Sequence, residues 1–179
     1  MAGGSVPEHN IVLTGFMGTG KSSVGRVLAA VLDRRFVDTD DLIVERHGPI
    51  PTIFADHGEA AFRAHERALA DELADQTELV VSTGGGMLVD PAVAERFEST
   101  GRVFCLTASP TTIVARVLAD GVAERPLLDT PEPETAVADL LAGRAEVYAR
   151  FEAVPTDDRT IIEIVDDLLD RVRVDQRST

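Results

Sequence analysis

Tryptophan is absent from this 179-residue chain, and cysteine, tyrosine and lysine occur once each. The lone Cys105 excludes an intramolecular disulfide. Its place in the apolar run Val103-Phe104-Cys105-Leu106 marks a buried, unreactive thiol rather than a nucleophile. No apolar run approaches the ~20 residues that a membrane-spanning helix needs. The first ten residues show neither the basic region nor the apolar stretch of a signal peptide, so the expected compartment is the cytoplasm. Positive charge is also scarce, with 17 basic residues against 31 acidic ones and a net charge of −14. Such a chain is poorly suited to a nucleic-acid backbone or an anionic membrane as its main partner. The length is that of one domain with a single substantial core, and the apolar content of 44% is ordinary for a globular protein.

The single lysine is itself a signal. All sixteen other basic side chains, histidine aside, are arginines, yet position 21 keeps a lysine inside Gly15-Phe16-Met17-Gly18-Thr19-Gly20-Lys21-Ser22. That octapeptide fits G-x-x-x-x-G-K-[ST], the phosphate-binding loop. There a compact ammonium reaches between the β- and γ-phosphates as a point charge, which a broad planar guanidinium does less well. Ile11-Val12-Leu13-Thr14 before the loop reads as a strand, and Lys21 to Leu32 after it as a helix with Val24, Val27, Leu28 and Val31 on one face. This strand–loop–helix context predicts that backbone N–H groups and the helix N-terminus cradle a nucleoside triphosphate, with Ser22 offering its hydroxyl to Mg²⁺. A guanine-reading N-K-x-D motif cannot exist in a chain whose only lysine is Lys21, and no L-S-G-G-Q transporter signature occurs. The chain is also too short for a motor ATPase core with accessory elements, which leaves the small phosphoryl-transfer kinases.

Further short apolar runs at Arg35 to Asp38, Leu79 to Thr83 and Val103 to Leu106, and a fifth around Ala153 to Thr156, read as strands buried on both faces. Helical patterns lie between them. Glu59 to Ala74 is amphipathic, Ser109-Pro110 starts a helix, and a last helix capped by Thr160 is expected to bury Ile161, Ile164, Val165, Leu168 and Val172. Alternation of strand and helix predicts an α/β doubly wound domain with a parallel sheet. Asp120 to Glu134, with Gly121, Pro126, Pro131 and Pro133, has little periodicity and reads as a functional loop or lid.

Several polar groups have a functional and a plain reading side by side. Asp38-Thr39-Asp40-Asp41 follows the second strand. It either divides its carboxylates between Mg²⁺ and a substrate hydroxyl or merely complements a helix N-terminus. Gly84-Gly85-Gly86 offers bare backbone to an anion or a hydroxyl, or is a flexible turn. Arg63 sits four residues after Glu59 and three before Glu66, so an exposed helical ion pair explains it, and Arg144, four before Tyr148, reads the same way. Arg125, in Arg125-Pro126-Leu127-Leu128, is a cation in the lid. The histidines carry little information: His65-Glu66 lacks a second histidine at Leu69, and His47 and His57 fall in stretches that look like polar loops.

Together these residues resemble the shikimate kinase family over about residues 10 to 170. The motifs recur in the family order: the phosphate loop, F-x-D-x-D from Phe36 to Asp40, and G-E-x-x-F-R-x-x-E from Gly58 to Glu66. After them come Gly84-Gly85-Gly86, R-P-L-L from Arg125, and R-x-x-x-Y from Arg144 to Tyr148. The resemblance implies a P-loop kinase fold of the nucleoside-monophosphate-kinase type, with a five-stranded parallel sheet in the order 2-3-1-4-5. It implies one kinase domain over residues 1–179, with a substrate-binding helical region at about 39–75 and a lid at about 116–134.

By resemblance, Arg63 and Arg144 hold the carboxylate of shikimate, Asp40 holds its hydroxyls, and Gly85 and Gly86 meet it through backbone. ATP falls to Gly18, Thr19, Gly20, Lys21, Ser22, Ser23, Arg125 and Arg159, and Mg²⁺ to Ser22 and Asp38. The implied reaction is ATP-dependent phosphorylation of the shikimate 3-hydroxyl in aromatic amino acid biosynthesis, carried out by a monomer. Asp40 would act as base, with Lys21 and Arg125 stabilising the transferring group. Alternatives on the same scaffold are a kinase for a related carboxylated cyclitol or polyol, and a catalytically silent nucleotide-binding relative. Four positions depart from the family pattern: Leu118 replaces an arginine at the start of the lid, Asp120 and Glu124 add acid to it, and Glu146 replaces a proline two residues after Arg144.

Overall fold

The computed structural model describes residues 8–119 and 130–174. Strands β1 (Asn10–Thr14), β2 (Arg35–Asp38), β3 (Leu79–Ser82), β4 (Gly101–Thr107) and β5 (Glu152–Pro155) form one sheet in the order β2-β3-β1-β4-β5. Every neighbouring pair is parallel. Between them run α1 (Lys21–Leu32), α2 (Thr39–His47), α3 (Ile50–Ala74), α4 (Pro91–Glu98), α5 (Pro110–Ala119), α6 (Pro133–Tyr148) and α7 (Ile161–Val174). The expected fold and strand order are therefore present.

Alternation along the strands divides the core. Ile11, Leu13, Val80, Phe104 and Leu106 face α1 and α7, packing on Val24, Leu28, Ile164 and Leu168. Val12, Val81, Val103 and Cys105 face the other way, onto Phe62, Leu69, Leu73 and Phe97 of α3 and α4. A third cluster seats Phe16 of the phosphate loop among Ile113, Val114 and Val117 of α5 and Val137 of α6. That buried ring fixes the loop's height above the sheet. Cys105 is fully buried and burial pushes its thiol up to about 11, consistent with an inert side chain.

Four expectations need correction. Val31 is 57% exposed, because α1 turns Val24, Gly25, Leu28 and Ala29 inward instead. Gly25 allows this, since a Cβ there would lie 2.6 Å from the Phe36 ring. Ile161 is 40% exposed at the mouth of a cavity, and Leu169 is buried in the stripe instead. His47 ends α2 and His57 lies within α3, so neither is in a loop. The helical pattern expected from Glu59 is the second part of α3, which is interrupted at Gly58 (φ 79, ψ 171). Of the expected lid, residues 116–119 are the last turn of α5 and Pro133 and Glu134 the first of α6. Asp120, Glu124 and Arg125 lie outside the described residues.

The sheet's lower edge depends on Asn10, which is fully buried yet bonded on every side. Its amide donates to Leu73 O (3.3 Å) and Gln76 O (2.8 Å), and its carbonyl accepts from Leu79 N at 2.9 Å. Asn10→Ala leaves those buried groups without partners, and the predicted loss is about 1–3 kcal/mol of stability. Urea unfolding should show a lowered midpoint with an unchanged slope; an unchanged midpoint would contradict the assignment.

Candidate active site

Three parallel strands deliver their C-terminal ends side by side, where an open α/β sheet binds ligands. Leu13 and Asp38 are both in register with Ser82, so β1, β2 and β3 end level. A cavity of about 810 Å³ opens above them, lined by the phosphate loop, Asp38, Asp40, Ser82, Gly85, Gly86, Arg144 and the start of α7. Gly18, Thr19, Gly20, Lys21, Ser22 and Ser23 all line it, as does Arg159.

The phosphate loop starts at Gly15 (φ 132), where a Cβ would overlap the Leu106 carbonyl oxygen. It ends at Gly20 (φ 94), the N-cap of α1. The Thr19 hydroxyl is engaged inside the loop, donating to Phe16 O at 2.8 Å. Lys21 Nζ donates to the same carbonyl at 2.9 Å. Burial lowers the lysine's pKa from 10.5 to about 8, against the opposing pull of the Asp40 and Asp38 carboxylates.

Asp38 caps α2, as the plain reading of the acidic cluster has it, and also reaches the phosphate loop. Its Oδ1 caps α2 by accepting from the N–H groups of Asp40 (3.1 Å) and Asp41 (3.5 Å), and its Oδ2 accepts from Ser22 Oγ at 2.6 Å. Ser82 Oγ stands 3.3 Å from the same serine hydroxyl. This hard-oxygen set fits Mg²⁺, which keeps most of its shell in waters and phosphate oxygens. Among the described residues there is no cluster of three or more His, Cys, Asp or Glu that would form an all-protein metal cage.

Asp40, the second residue of α2, enters the cavity with a raised pKa. Burial is the main cause and the Asp38 charge adds to it, while Lys21 and Arg63 oppose. The three glycines each meet one charged side chain. A Cβ at Gly84 would overlap Asp40 Oδ1, one at Gly85 would lie 3.5 Å from Arg144 Nη1, and one at Gly86 3.3 Å from Arg63 Nη1. Gly84 N–H is held by the buried Thr39 hydroxyl at 2.9 Å. Packing therefore excludes a side chain at Gly84, whereas a Cβ at Gly85 or Gly86 would make contacts close to ordinary van der Waals distance.

Arg63 makes the ion pairs that its spacing suggested, to Glu59 (3.1 Å) and Glu66 (2.7 Å). Glu66, however, is only 3% exposed, so this is no ordinary surface pair. Burial raises the Glu66 pKa and Arg63 opposes the rise. The Arg63 guanidinium is beside Gly86 without itself lining the cavity. Arg144 does line it, stacked 5.1 Å from the centroid of Phe16. Glu146, on the same helix, is exposed and not part of the lining. Arg159 lines the cavity, but its guanidinium already bonds Pro155 O, Asp167 Oδ2 and Glu163 O.

Among the lining residues not assigned to the site from sequence are Ser82 and Arg116. Ser82 was legible as the last residue of a strand beside the one ending in Asp38. Arg116 carried no such signal. It reaches from α5 to Gly18 O (3.3 Å), Thr156 Oγ1 (2.9 Å) and Thr156 O (2.7 Å), all neutral oxygens. Leu118, two residues on, is 64% exposed.

A phosphate loop on a 2-3-1-4-5 parallel sheet, facing a desolvated carboxylate across one cavity, defines a P-loop kinase that moves a phosphoryl group to a small acceptor. The comparisons with known proteins agree. The Shikimate kinase family model matches residues 17–173. The chain is 40% identical over 168 residues to the shikimate kinase of Thermus thermophilus, covering 93% of this chain and 91% of that one. With the shikimate kinase of Geobacter sulfurreducens it shares 40% over 176 residues, covering 96% of each. The structure of shikimate kinase from Acinetobacter baumannii in complex with shikimate superposes with a TM-score of 0.85 at 32% identity, covering 95% of this chain and 96% of that one. The chain belongs to the shikimate kinase family.

Because Gly84 presses on Asp40, a single methyl group tests the geometry. Gly84→Ala should push the carboxylate aside and lower kcat about 10–100-fold, the scale of a misplacement near 1 Å. Steady-state rates together with a melting curve check this; full activity in a folded variant would show that the contact is not critical.

Proposed function

We propose that Asp40, Lys21 and the groups around them transfer the γ-phosphoryl group of ATP to the 3-hydroxyl of shikimate, releasing ADP and shikimate 3-phosphate. Membership of the family carries the reaction. One observation carries the residue assignment: phosphate loop, Asp40 and the arginine-flanked glycines share a single cavity. That pairing of cations with bare backbone suits a carboxylate, and with the family match it favours shikimate over a related carboxylated cyclitol or polyol.

In this reading Arg63 and Arg144 grip the acceptor's carboxylate, with Gly85 and Gly86 donating from the backbone. Asp40 accepts a hydrogen bond from the 3-hydroxyl and takes its proton as the oxygen attacks phosphorus. Its desolvated setting makes it a stronger base than a solvated aspartate. Lys21 releases Phe16 O to meet the phosphates, joined by the loop N–H groups from Gly18 to Ser23. ATP is the donor, and Ser22 and Asp38 would hold Mg²⁺, which would supply charge neutralisation on the phosphates. Arg125 is read as the lid's phosphate contact and Arg159 as part of the nucleotide wall.

Residues 1–179 are read as one kinase domain, with 39–75 the acceptor region and 116–134 the lid. We read the protein as a cytoplasmic monomer that takes no nucleic acid, on its charge of −14 and on a cavity that gathers donor and acceptor groups from one chain. No helix among the described residues is long and apolar enough to cross a membrane.

ADP release coupled to a spectrophotometric readout, with shikimate, ATP and Mg²⁺, tests the reaction. Activity on a carboxylate-free cyclitol exceeding that on shikimate would overturn it. Asp40→Asn should lower kcat by roughly two orders of magnitude or more. The wild-type kcat/KM should fall on the acid side as Asp40 is protonated, at a pH above its ordinary 3.8. It should fall on the alkaline side as Lys21 loses its proton, near pH 8. An acid limb at or below 3.8, or an unchanged kcat in Asp40→Asn, would remove Asp40 from this role.

A further inference from the structure

The chain's only tyrosine lies at the glycine turn. Tyr148, the last residue of α6, donates its hydroxyl to the Gly85 carbonyl oxygen at 2.8 Å. Arg144 Nη1, one turn earlier, donates to the same oxygen at 3.0 Å and stands 3.4 Å from the hydroxyl. The ring packs against both the α3–α4 core and the α5–α6 core, so the hydroxyl is delivered by a body held from two sides.

Two donors on one carbonyl fix a peptide plane. The Gly85–Gly86 peptide is trans, so its N–H points opposite to its C=O. Anchoring Gly85 O on the α6 side therefore sets the direction of Gly86 N–H. That N–H has no acceptor among the described residues, and both glycines line the cavity. The Arg144 and Arg63 guanidinium groups flank the same two residues. Glycine is the residue whose peptide rotates most freely, so this plane needs an external hold.

We propose that Tyr148 is a positioning residue for recognition of the acceptor's carboxylate. Its hydroxyl locks the Gly85–Gly86 peptide so that Gly86 N–H acts with Arg63 and Arg144 as the third donor to the anion. It also shares the load on Gly85 O, which leaves Arg144 free to direct its other N–H groups at the ligand. Without the hydroxyl, the peptide loses one of its two restraints and Arg144 is drawn onto the carbonyl. This inference rests on shikimate being the acceptor.

Tyr148→Phe removes one oxygen and keeps the ring, so the variant retains the packing of both cores. KM for shikimate should rise about tenfold, with KM for ATP within twofold of wild type and the melting temperature nearly unchanged. With a carbocyclic triol that lacks the carboxylate, variant and wild type should perform alike, because no anion is present to use the third donor. A KM for shikimate within twofold of wild type would overturn the proposal. So would equal rises in both KM values, or the same loss on the neutral triol. Wild-type inactivity on shikimate would overturn both this inference and the functional reading beneath it. An active wild type with an unaffected Tyr148→Phe would overturn the positioning role alone.

Discussion

Asp38 divides its two carboxylate oxygens between the two halves of the site, and the remaining geometry follows from that division. Oδ2 takes the Ser22 hydroxyl at the head of α1, and Oδ1 caps α2. A capped α2 begins where β2 ends, so Asp40 is carried into the cavity two residues later with its carboxylate against Gly84. The phosphate loop and the Asp40-bearing helix are thus joined by one side chain. The cost is a second negative charge close to Asp40. With burial as the larger effect, that charge raises the Asp40 pKa, which suits the proton-accepting role proposed for it.

A chain with a net charge of −14 still has to hold an anionic nucleotide, and it does so by local placement of a few cations. Lys21 is parked on a loop carbonyl rather than on a carboxylate, so no ion pair must break when phosphate arrives. Arg116 likewise bonds neutral oxygens at the cavity wall. Leu118 faces solvent, and the Arg116 guanidinium two residues earlier occupies the wall. Phe16 links the halves a second time. Its ring is buried under α5 and α6, and Arg144 stacks on it, so the height of the phosphate loop and the place of the Arg144 guanidinium share one support.

The parts of this arrangement that were legible in the sequence are those set by local rules. α1 and β2 run over the expected residues because Gly20 and Asp33 bound the helix and turn signals bound the strand. α6 gave no such pattern, since Val137 and Leu140 pack on the α5 cluster while Val147 and Tyr148 reach the α3–α4 core, which breaks the single stripe. Val31 and Ile161 were misjudged for a related reason. Periodicity gives a face but not its limits, and those depend on Gly25 admitting Phe36 and on α7 beginning at an open cavity. The Arg63–Glu66 pair was readable as spacing, but the burial of Glu66 beneath it was not. Arg116 and the Tyr148–Gly85 bond depend on contacts 98 and 63 residues apart, which no local pattern encodes.

In the proposed reading, one cavity holds a carboxylated acceptor and a nucleotide at once, with the acceptor hydroxyl on Asp40. A crystal structure of the protein with shikimate and ADP tests it most directly. The account predicts the carboxylate between Arg63 and Arg144, the 3-hydroxyl within hydrogen-bond reach of Asp40, and the ADP phosphates on Lys21 and the loop N–H groups. Shikimate bound with its carboxylate away from both arginines, or with no hydroxyl near Asp40, would contradict it.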